Sequence, residues 1–253
     1  MLKASKIVYL SLIFLIIPKA MPSDSFKYNS FNNHGVIGLI NMPTARFFEE
    51  SSFGFTFNYN NPDQKLTMTS YPFDWLEASF FYTNIDDKPY CDQAFDPVCK
   101  QDYKDKGFNT KIRIKQEGVL PAVAIGINDI AGTGLYSSEY VVASYGINNL
   151  DIHLGLGWGN YNGTEDLKNP LTYLDERFES RPTEYEDSGG QFQPSRYFSD
   201  SSVSPFFGIS YAFNEKFLLK LERDTTKTPG QIKYDKSRKP ISFGIEFLAT
   251  KNF

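Results

Sequence analysis

The sequence predicts an all-β fold, an antiparallel outer-membrane-type meander β-barrel of about ten strands, and three observations carry that expectation. Apolar and polar residues alternate in segments of strand length. The connections between those segments alternate between short and long. Aromatic residues are abundant, at 16% of 253 residues with 23 Phe and 16 Tyr against 2 Trp, which suits strands and lipid-facing or interfacial surfaces. A chain of this length fits one large all-β domain.

The first element is a leader. Lys3 and Lys6 precede an apolar run at 7–17 that only Tyr9 and Ser11 interrupt, and Pro18, Ala20 and Ser23 follow. This is the pattern of a signal peptide over 1–23. A spanning helix needs about 20 apolar residues, and the run stops short of that. No Cys lies near the cleavage region, so a lipid-anchored N-terminus is not expected. Residues 24–51 then form an N-terminal segment ahead of a barrel domain at 52–253. Beyond residue 17 no apolar run is long enough to cross a membrane as a helix, and the mean hydropathy is −0.38. A membrane location therefore demands a closed sheet, and the expected localisation is the bacterial outer membrane.

The strands follow in order. Phe53, Phe55, Phe57 and Tyr59 share one face, with Ser52, Gly54, Thr56 and Asn58 on the other. Phe108, Thr110, Ile112 and Ile114 oppose Asn109, Lys111, Arg113 and Lys115. Ile152, Leu154, Leu156 and Trp158 oppose Asp151, His153, Gly155 and Gly157. Ile241, Phe243, Ile245 and Phe247 oppose Ser242, Gly244 and Glu246. Similar alternation near 64–72, 75–83, 121–129, 137–145, 203–213 and 216–224 brings the total to about ten, an even number as in bacterial barrels.

Short turns are expected at 71–74, 117–120, 146–149 and 214–216, and longer polar loops at 84–106, 130–136, 159–202 and 225–239. Short turns on the periplasmic side and long loops outside characterise outer-membrane barrels. The first hairpin, at 60–63, is an exception, since its place calls for a long loop. Large apolar side chains would face lipid, leaving a wet lumen lined by Glu77, Lys111, Arg113, Lys115, Asp151, His153, Lys220, Glu222 and Glu246. In a soluble periplasmic sandwich the same apolar face would be the core and these charges a solvated surface. The alternation of loop lengths favours the barrel.

Several stretches carry a family resemblance. They include Gly38-Leu39-Ile40-Asn41-Met42-Pro43-Thr44-Ala45-Arg46, Tyr71-Pro72-Phe73-Asp74-Trp75-Leu76-Glu77-Ala78 and Tyr103-Lys104-Asp105-Lys106-Gly107-Phe108. Further along come Asp129-Ile130-Ala131-Gly132-Thr133-Gly134-Leu135, Leu154-Gly155-Leu156-Gly157-Trp158-Gly159, Asp175-Glu176-Arg177-Phe178 and Leu219-Lys220-Leu221-Glu222. In these the chain resembles the YjbH-type outer-membrane exopolysaccharide and capsule-associated proteins, over nearly the whole mature length. The resemblance implies an outer-membrane β-barrel with a part in exporting or assembling an extracellular polysaccharide. It also implies a longer protein, of which this chain looks like the N-terminal portion or a reduced relative, and often a lipoprotein. It supplies no catalytic residues.

Cys91 and Cys99 sit close together in the 84–106 loop, and export makes a disulfide their expected state. Their spacing is not C-x-x-C and no His is near, which argues against a metal or redox site. His34 and His153 lie far apart in sequence without a carboxylate triad, so no metal and no nucleophilic chemistry are expected. Gly132-Thr133-Gly134 lacks the Gly-Lys-Ser/Thr ending of a phosphate loop, and Ser137-Ser138 lacks the Gly-x-Ser-x-Gly context of a nucleophile. No cofactor is implied. The net charge of −4 gives no reason to expect nucleic acid as a partner.

The 159–202 loop is acidic and aromatic. Tyr173, Asp175, Glu176, Phe178 and Tyr185 are its candidate sugar contacts, aromatic faces for rings and carboxylates for hydroxyls, although a plain solvated loop accounts for it more simply. Carboxylate pairs there would suit glycoside hydrolysis, but spacing alone does not fix their separation, and no enzyme is expected. The expected partners are outer-membrane lipid, an extracellular polysaccharide and other polysaccharide-export components. A small general porin or structural barrel and a soluble periplasmic carbohydrate-binding sandwich are the alternatives. Pore size limits the export reading, because eight strands enclose only side chains and aqueous channels take about sixteen. On that count ten strands form part of a larger wall or serve a structural or docking role.

Overall fold

The structure is a computed structural model that describes residues 28–59, 63–91, 101–182, 190, 192–227, 229 and 240–249. The expected leader lies outside these residues. Among them no helix is long and apolar enough to cross a membrane. What they form is one antiparallel sheet of eleven strands: β1 (Ser52–Tyr59), β2 (Asp63–Phe73), β3 (Leu76–Pro89), β4 (Asp102–Lys115), β5 (Ala122–Ile130), β6 (Ser138–Ile147), β7 (Leu150–Gly159), β8 (Leu167–Lys168), β9 (Ser202–Ala212), β10 (Phe217–Arg223) and β11 (Ile241–Phe247). The order β1-β2-β3-β4-β5-β6-β7-β9-β10-β11 is a meander of ten strands, with the two-residue β8 clipped onto β9.

Each segment that alternates in sequence is a strand, because one face of each meets the interior and the other the exterior. On β1 the outward Phe53, Phe55, Phe57 and Tyr59 are 58–74% exposed. Outward residues elsewhere follow suit, among them Met68, Phe108, Leu154, Phe207, Phe243 and Ile245. Inward positions carry polar and charged groups that are buried, including Lys65, Thr67, Glu77, Lys111, Asp151, Lys220 and Glu222. The wall is thus apolar outside and polar inside. A soluble sandwich would have it the other way round.

Two elements differ from expectation. The ladder between β3 and β4 runs from Leu76↔Ile112 through Ile85↔Tyr103 to Pro89↔Asp102, so both ends of the loop expected at 84–106, residues 84–89 and 102–106, are strand. Charged and polar residues crowd that stretch and obscure the alternation, although Ile85 still faces inward and is buried, and backbone pairing does not depend on the pattern. The sheet, moreover, is not closed into the expected barrel. Its edges are β1 and β11, and no ladder joins them among the described residues.

Both edges pack instead on the segment that precedes β1. A β-carbon placed on Gly54 of β1 would fall 2.5 Å from the Phe31 ring, and one on Gly244 of β11 would fall 3.1 Å from Ile40. The sheet therefore curls around the N-terminal segment, which supplies five of the twelve buried residues of the main core. Ile37, Leu39, Met42, Ala45 and Phe47 pack against Tyr71, Ala122, Ala124, Tyr140, Val142, Tyr161 and Phe206. Burying each large apolar side chain contributes about 1.5–3 kcal/mol.

The 160–201 connection is built rather than merely solvated. Three 3-10 turns, Pro170–Tyr173, Glu176–Phe178 and Pro194–Arg196, fold around the buried Asn169. Asn169 Oδ1 accepts from Leu171 N, and Nδ2 donates to the carbonyls of Phe178, Phe198 and Asp200. The Arg181 guanidinium ties the connection to the wall through Glu139 of β6, at 2.8 and 2.9 Å.

A plugged lumen as the candidate functional site

The site begins with the local folding of residues 31–46. Asn32 Oδ1 accepts from His34 N at 2.9 Å and Val36 N at 3.3 Å, a side-chain turn typical of Asn. Gly35 sits at φ +76, where a residue without a β-carbon is favoured. Phe31 then bridges Ile37, and Gly38 bridges Pro43, with Leu39 N donating to the Met42 carbonyl at 2.8 Å. The segment is a compact pair of turns, small enough to enter the curl of the sheet as a plug.

The wall holds this plug mainly by its backbone. Glu222 on β10 accepts from the amides of Ile40 and Asn41 at 2.9 Å and of Met42 at 3.1 Å. Lys220, two residues earlier on the same face, donates to the carbonyls of Gly38 (2.9 Å) and Leu39 (2.8 Å) and to Glu246 (2.6 Å). Across the lumen, Glu77 on β3 accepts from Ile37 N at 3.2 Å and Tyr71 Oη at 2.7 Å. Lys111 on β4 lies 3.0 Å from Glu77 and donates to the carbonyls of Arg46 (2.9 Å) and Ile37 (3.3 Å). Arg46 itself donates to Asp151 through Nε (2.8 Å) and Nη2 (2.6 Å), with Glu117 beside it. Burial alone would lower the Arg46 pKa, but the hydrogen bonds and charges of Asp151 and Glu117 outweigh it and the net shift is upward. Ser144 Oγ accepts from Ala45 N at 2.9 Å and meets His153 Nδ1 at 2.8 Å. Hydrogen bonds to charged groups contribute about 1.5–3 kcal/mol each.

The sequence-assigned lumen residues divide by depth. Glu77, Lys111, Asp151, His153, Lys220 and Glu222 are buried within the curl, and Glu246 is half-buried beside Lys220. Arg113 is half-buried with its guanidinium 4.5 Å above the Phe47 ring, and Lys115 is exposed at the short-turn rim. The wet lumen that the alternation suggested is occupied by the plug instead. Sequence reasoning missed Arg46, Glu117 and Ser144, and with them the plug. The Gly38-to-Pro43 turn signal was the available clue.

A cavity remains at each end of the plug. At the long-loop end a small space, with about 20 Å³ of room for water, is lined by His34, Lys65, Tyr136, Asn160, Tyr161 and Lys227. At the short-turn end a smaller one, about 10 Å³, lies against Tyr28, Ser30, Thr44, Asp151, Ser210 and Lys220. His34 faces the first. Burial, and then the Lys65 ammonium 3.3 Å from Nδ1, push its pKa well below the ordinary value.

Of the candidate sugar contacts, Tyr173 is 77% exposed with the Lys168 ammonium 5.4 Å from its ring. Asp175 caps the turn Glu176–Phe178 and binds Arg177 at 2.6 Å, and the Arg177 hydrogen bonds hold its carboxyl down at about 2. Glu176 is exposed and Phe178 half-buried. Tyr185 lies outside the described residues, as does Cys99, the expected partner of Cys91. Among the described residues no group of three or more His, Cys, Asp or Glu side chains is placed to hold a metal ion.

Comparison with known proteins adds a lineage to this geometry. The family model YjbH, described as exopolysaccharide biosynthesis protein YbjH, matches residues 30–253 and so takes in the plug as well as the wall. The uncharacterized lipoprotein YjbH of Escherichia coli strain K12 is 34% identical over 184 residues, 72% of this chain. Those residues are 26% of the relative, so the match spans about a quarter of its length. No solved structure matches.

Proposed function

The chain belongs to the YjbH family of exopolysaccharide biosynthesis proteins, and from that membership we propose that it is a plugged outer-membrane β-barrel serving the export or assembly of an extracellular polysaccharide, without catalysing a reaction. The observation that carries the membrane part is the inverted wall. Large apolar side chains face outward on strand after strand while charged ones are buried inside, which suits a hydrocarbon surround and disfavours the soluble sandwich. Aromatic rings cluster at the short-turn rim, where Phe73 stacks on Trp75 at 5.3 Å and Phe217 lies 5.3 Å from Phe247, as in an interfacial girdle. That the Escherichia coli relative is called a lipoprotein supports a place in the envelope.

Closure follows from the same reading. Bare strand edges are not tolerated in hydrocarbon, and the meander has ten strands. With an even number β1 and β11 run in opposite directions, the relation that antiparallel closure needs. In the membrane these two edges pair. The polysaccharide role rests on the family, supported by the exposed Tyr173 and the carboxylates of the long loop as sugar-facing groups.

Expression into outer membranes followed by gel electrophoresis with and without boiling tests the barrel. A faster-migrating unboiled band in the outer-membrane fraction is expected. A soluble periplasmic product with no such shift would overturn the reading.

A further inference from the structure

The plug shows how much room the wall encloses. Its two bridges, Phe31 to Ile37 and Gly38 to Pro43, are antiparallel, so the lumen contains chain passes lying side by side. Paired passes sit roughly 4.8 Å apart, and side chains on both faces bring the section to roughly 10 Å. The wall allows this because many inward residues are small, among them Thr67, Thr69, Ser79, Ala124, Ser144 and Ser210. A single extended glycan chain, one sugar ring across, has a smaller section than paired peptide. Strand count alone underestimates this lumen.

The groups that hold the plug are not specific for peptide. Glu222 accepts three N–H bonds and Glu77 one, while Lys220 and Lys111 donate to four carbonyls. Carboxylates that accept from N–H accept equally from hydroxyl, and ammonium groups that donate to carbonyl oxygen donate to hydroxyl and ring oxygen. Polar capacity is also left over, since Glu77 Oε1, Glu246 Oε2 and His34 Nε2 are buried without a hydrogen-bond partner among the described residues. The two cavities lie at opposite ends of the plug, one toward each rim.

We infer that the lumen is a binding passage for one hydroxyl-rich glycan chain, and that residues 30–48 are the internal ligand that occupies it until they are displaced. The inference rests on the membrane reading above. Glu77, Lys111, Lys220 and Glu222 bind the plug in the closed state and sugar hydroxyls in the open one. Apolar contacts of Leu39 and Met42 with the wall keep the plug seated.

Conductance of the full chain in planar bilayers, with dextran oligosaccharides as the probe, tests this. Wild-type protein is expected to stay mostly closed. Leu39→Ala with Met42→Ala weakens the seat and leaves every polar wall group in place, and should raise the open fraction at least roughly tenfold, as loss of two buried apolar side chains would. Ala45→Cys with Ser144→Cys, oxidised, should hold the pore shut until reductant is added, with wild type under the same reductant as control. Added dextran should reduce the open current reversibly. A heat-modifiable, inserted L39A/M42A protein that never conducts would overturn the passage. Currents indifferent to dextran would overturn its glycan class. Failure of every variant, wild type included, to insert would sink the membrane reading itself, and the inference with it.

Discussion

Glu222 and Ile40 are 182 positions apart in sequence and 2.9 Å apart in the lumen, a separation that explains what residue-scale reading misses. Period-two alternation told which side of the wall Glu222 faces. Nothing in the pattern told what it meets there, because its partners are backbone amides that carry no side-chain signature. The consequence is measurable. Glu222→Ala leaves the amides of Ile40, Asn41 and Met42 without their acceptor, and Lys220 with one carboxylate fewer nearby. Removing one partner of a buried charged network costs about 3–5 kcal/mol. The temperature at which the folded gel band disappears should fall clearly for Glu222→Ala, while Lys115→Ala, at the exposed rim, should leave it unchanged. His34 adds a pH dependence. Its folded-state pKa is pushed well below 6.5 by burial and by Lys65, so between those values the unfolded chain binds the extra proton. The contribution is fully present above about pH 6.5 and is lost as pH falls toward the folded value. Wild-type protein should therefore lose more stability between pH 7.5 and pH 5 than His34→Gln does, as read from paired thermal melts. Equal losses would show that Lys65 and the Tyr161 edge beside the ring do not hold His34 neutral.

At the scale of elements, the strands and the place of the long connection were legible, and the order inside that connection was not. Strands such as β1, β7 and β11 announce themselves because apolar residues alternate with polar or small ones without a break. The 160–201 connection has no period, since its three short 3-10 turns start differently, two capped by Asn169 and Asp175 and the third without a side-chain cap. Its order comes from Asn169, whose buried amide makes four hydrogen bonds to residues as far away as Asp200. A lone Asn before Pro170 reads in sequence only as a turn former. Asn169→Ala removes the donor from three carbonyls at once, each a neutral bond contributing about 1 kcal/mol, and is expected to loosen the connection while sparing the wall. Limited proteolysis should then cut within the connection at least roughly tenfold faster, with the heat-modifiable band retained. Loss of that band as well would make the connection part of the wall's own cooperative unit.

For the whole molecule, alternation was enough to specify an antiparallel meander, because it repeats in every strand, and the alternation of short and long connections favoured the inverted orientation over a sandwich. The interior was beyond them. Residues 28–48 show no strand pattern, and their apolar members Ile37, Leu39 and Met42 are too few and irregular to declare where they pack. Yet they set the curvature of the sheet, since Phe31 touches β1 and Ile40 touches β11. The plug thus brings both edges to one short stretch of chain, and this makes their pairing in a bilayer a specific claim. Cysteines placed singly along Ser52–Tyr59 and along Ile241–Phe247, tested in pairs in a cysteine-free background, should form disulfides between opposed positions. Because alternate antiparallel pairs bring side chains closer, efficiency along the seam should rise and fall with a period of two. The same scan on detergent-extracted protein tests whether closure requires lipid. If no pair cross-links in the membrane while the band stays heat-modifiable, the seam is filled by other strands. The wall described here would then be a sector of a larger barrel, in keeping with a relative of which the match covers only a quarter.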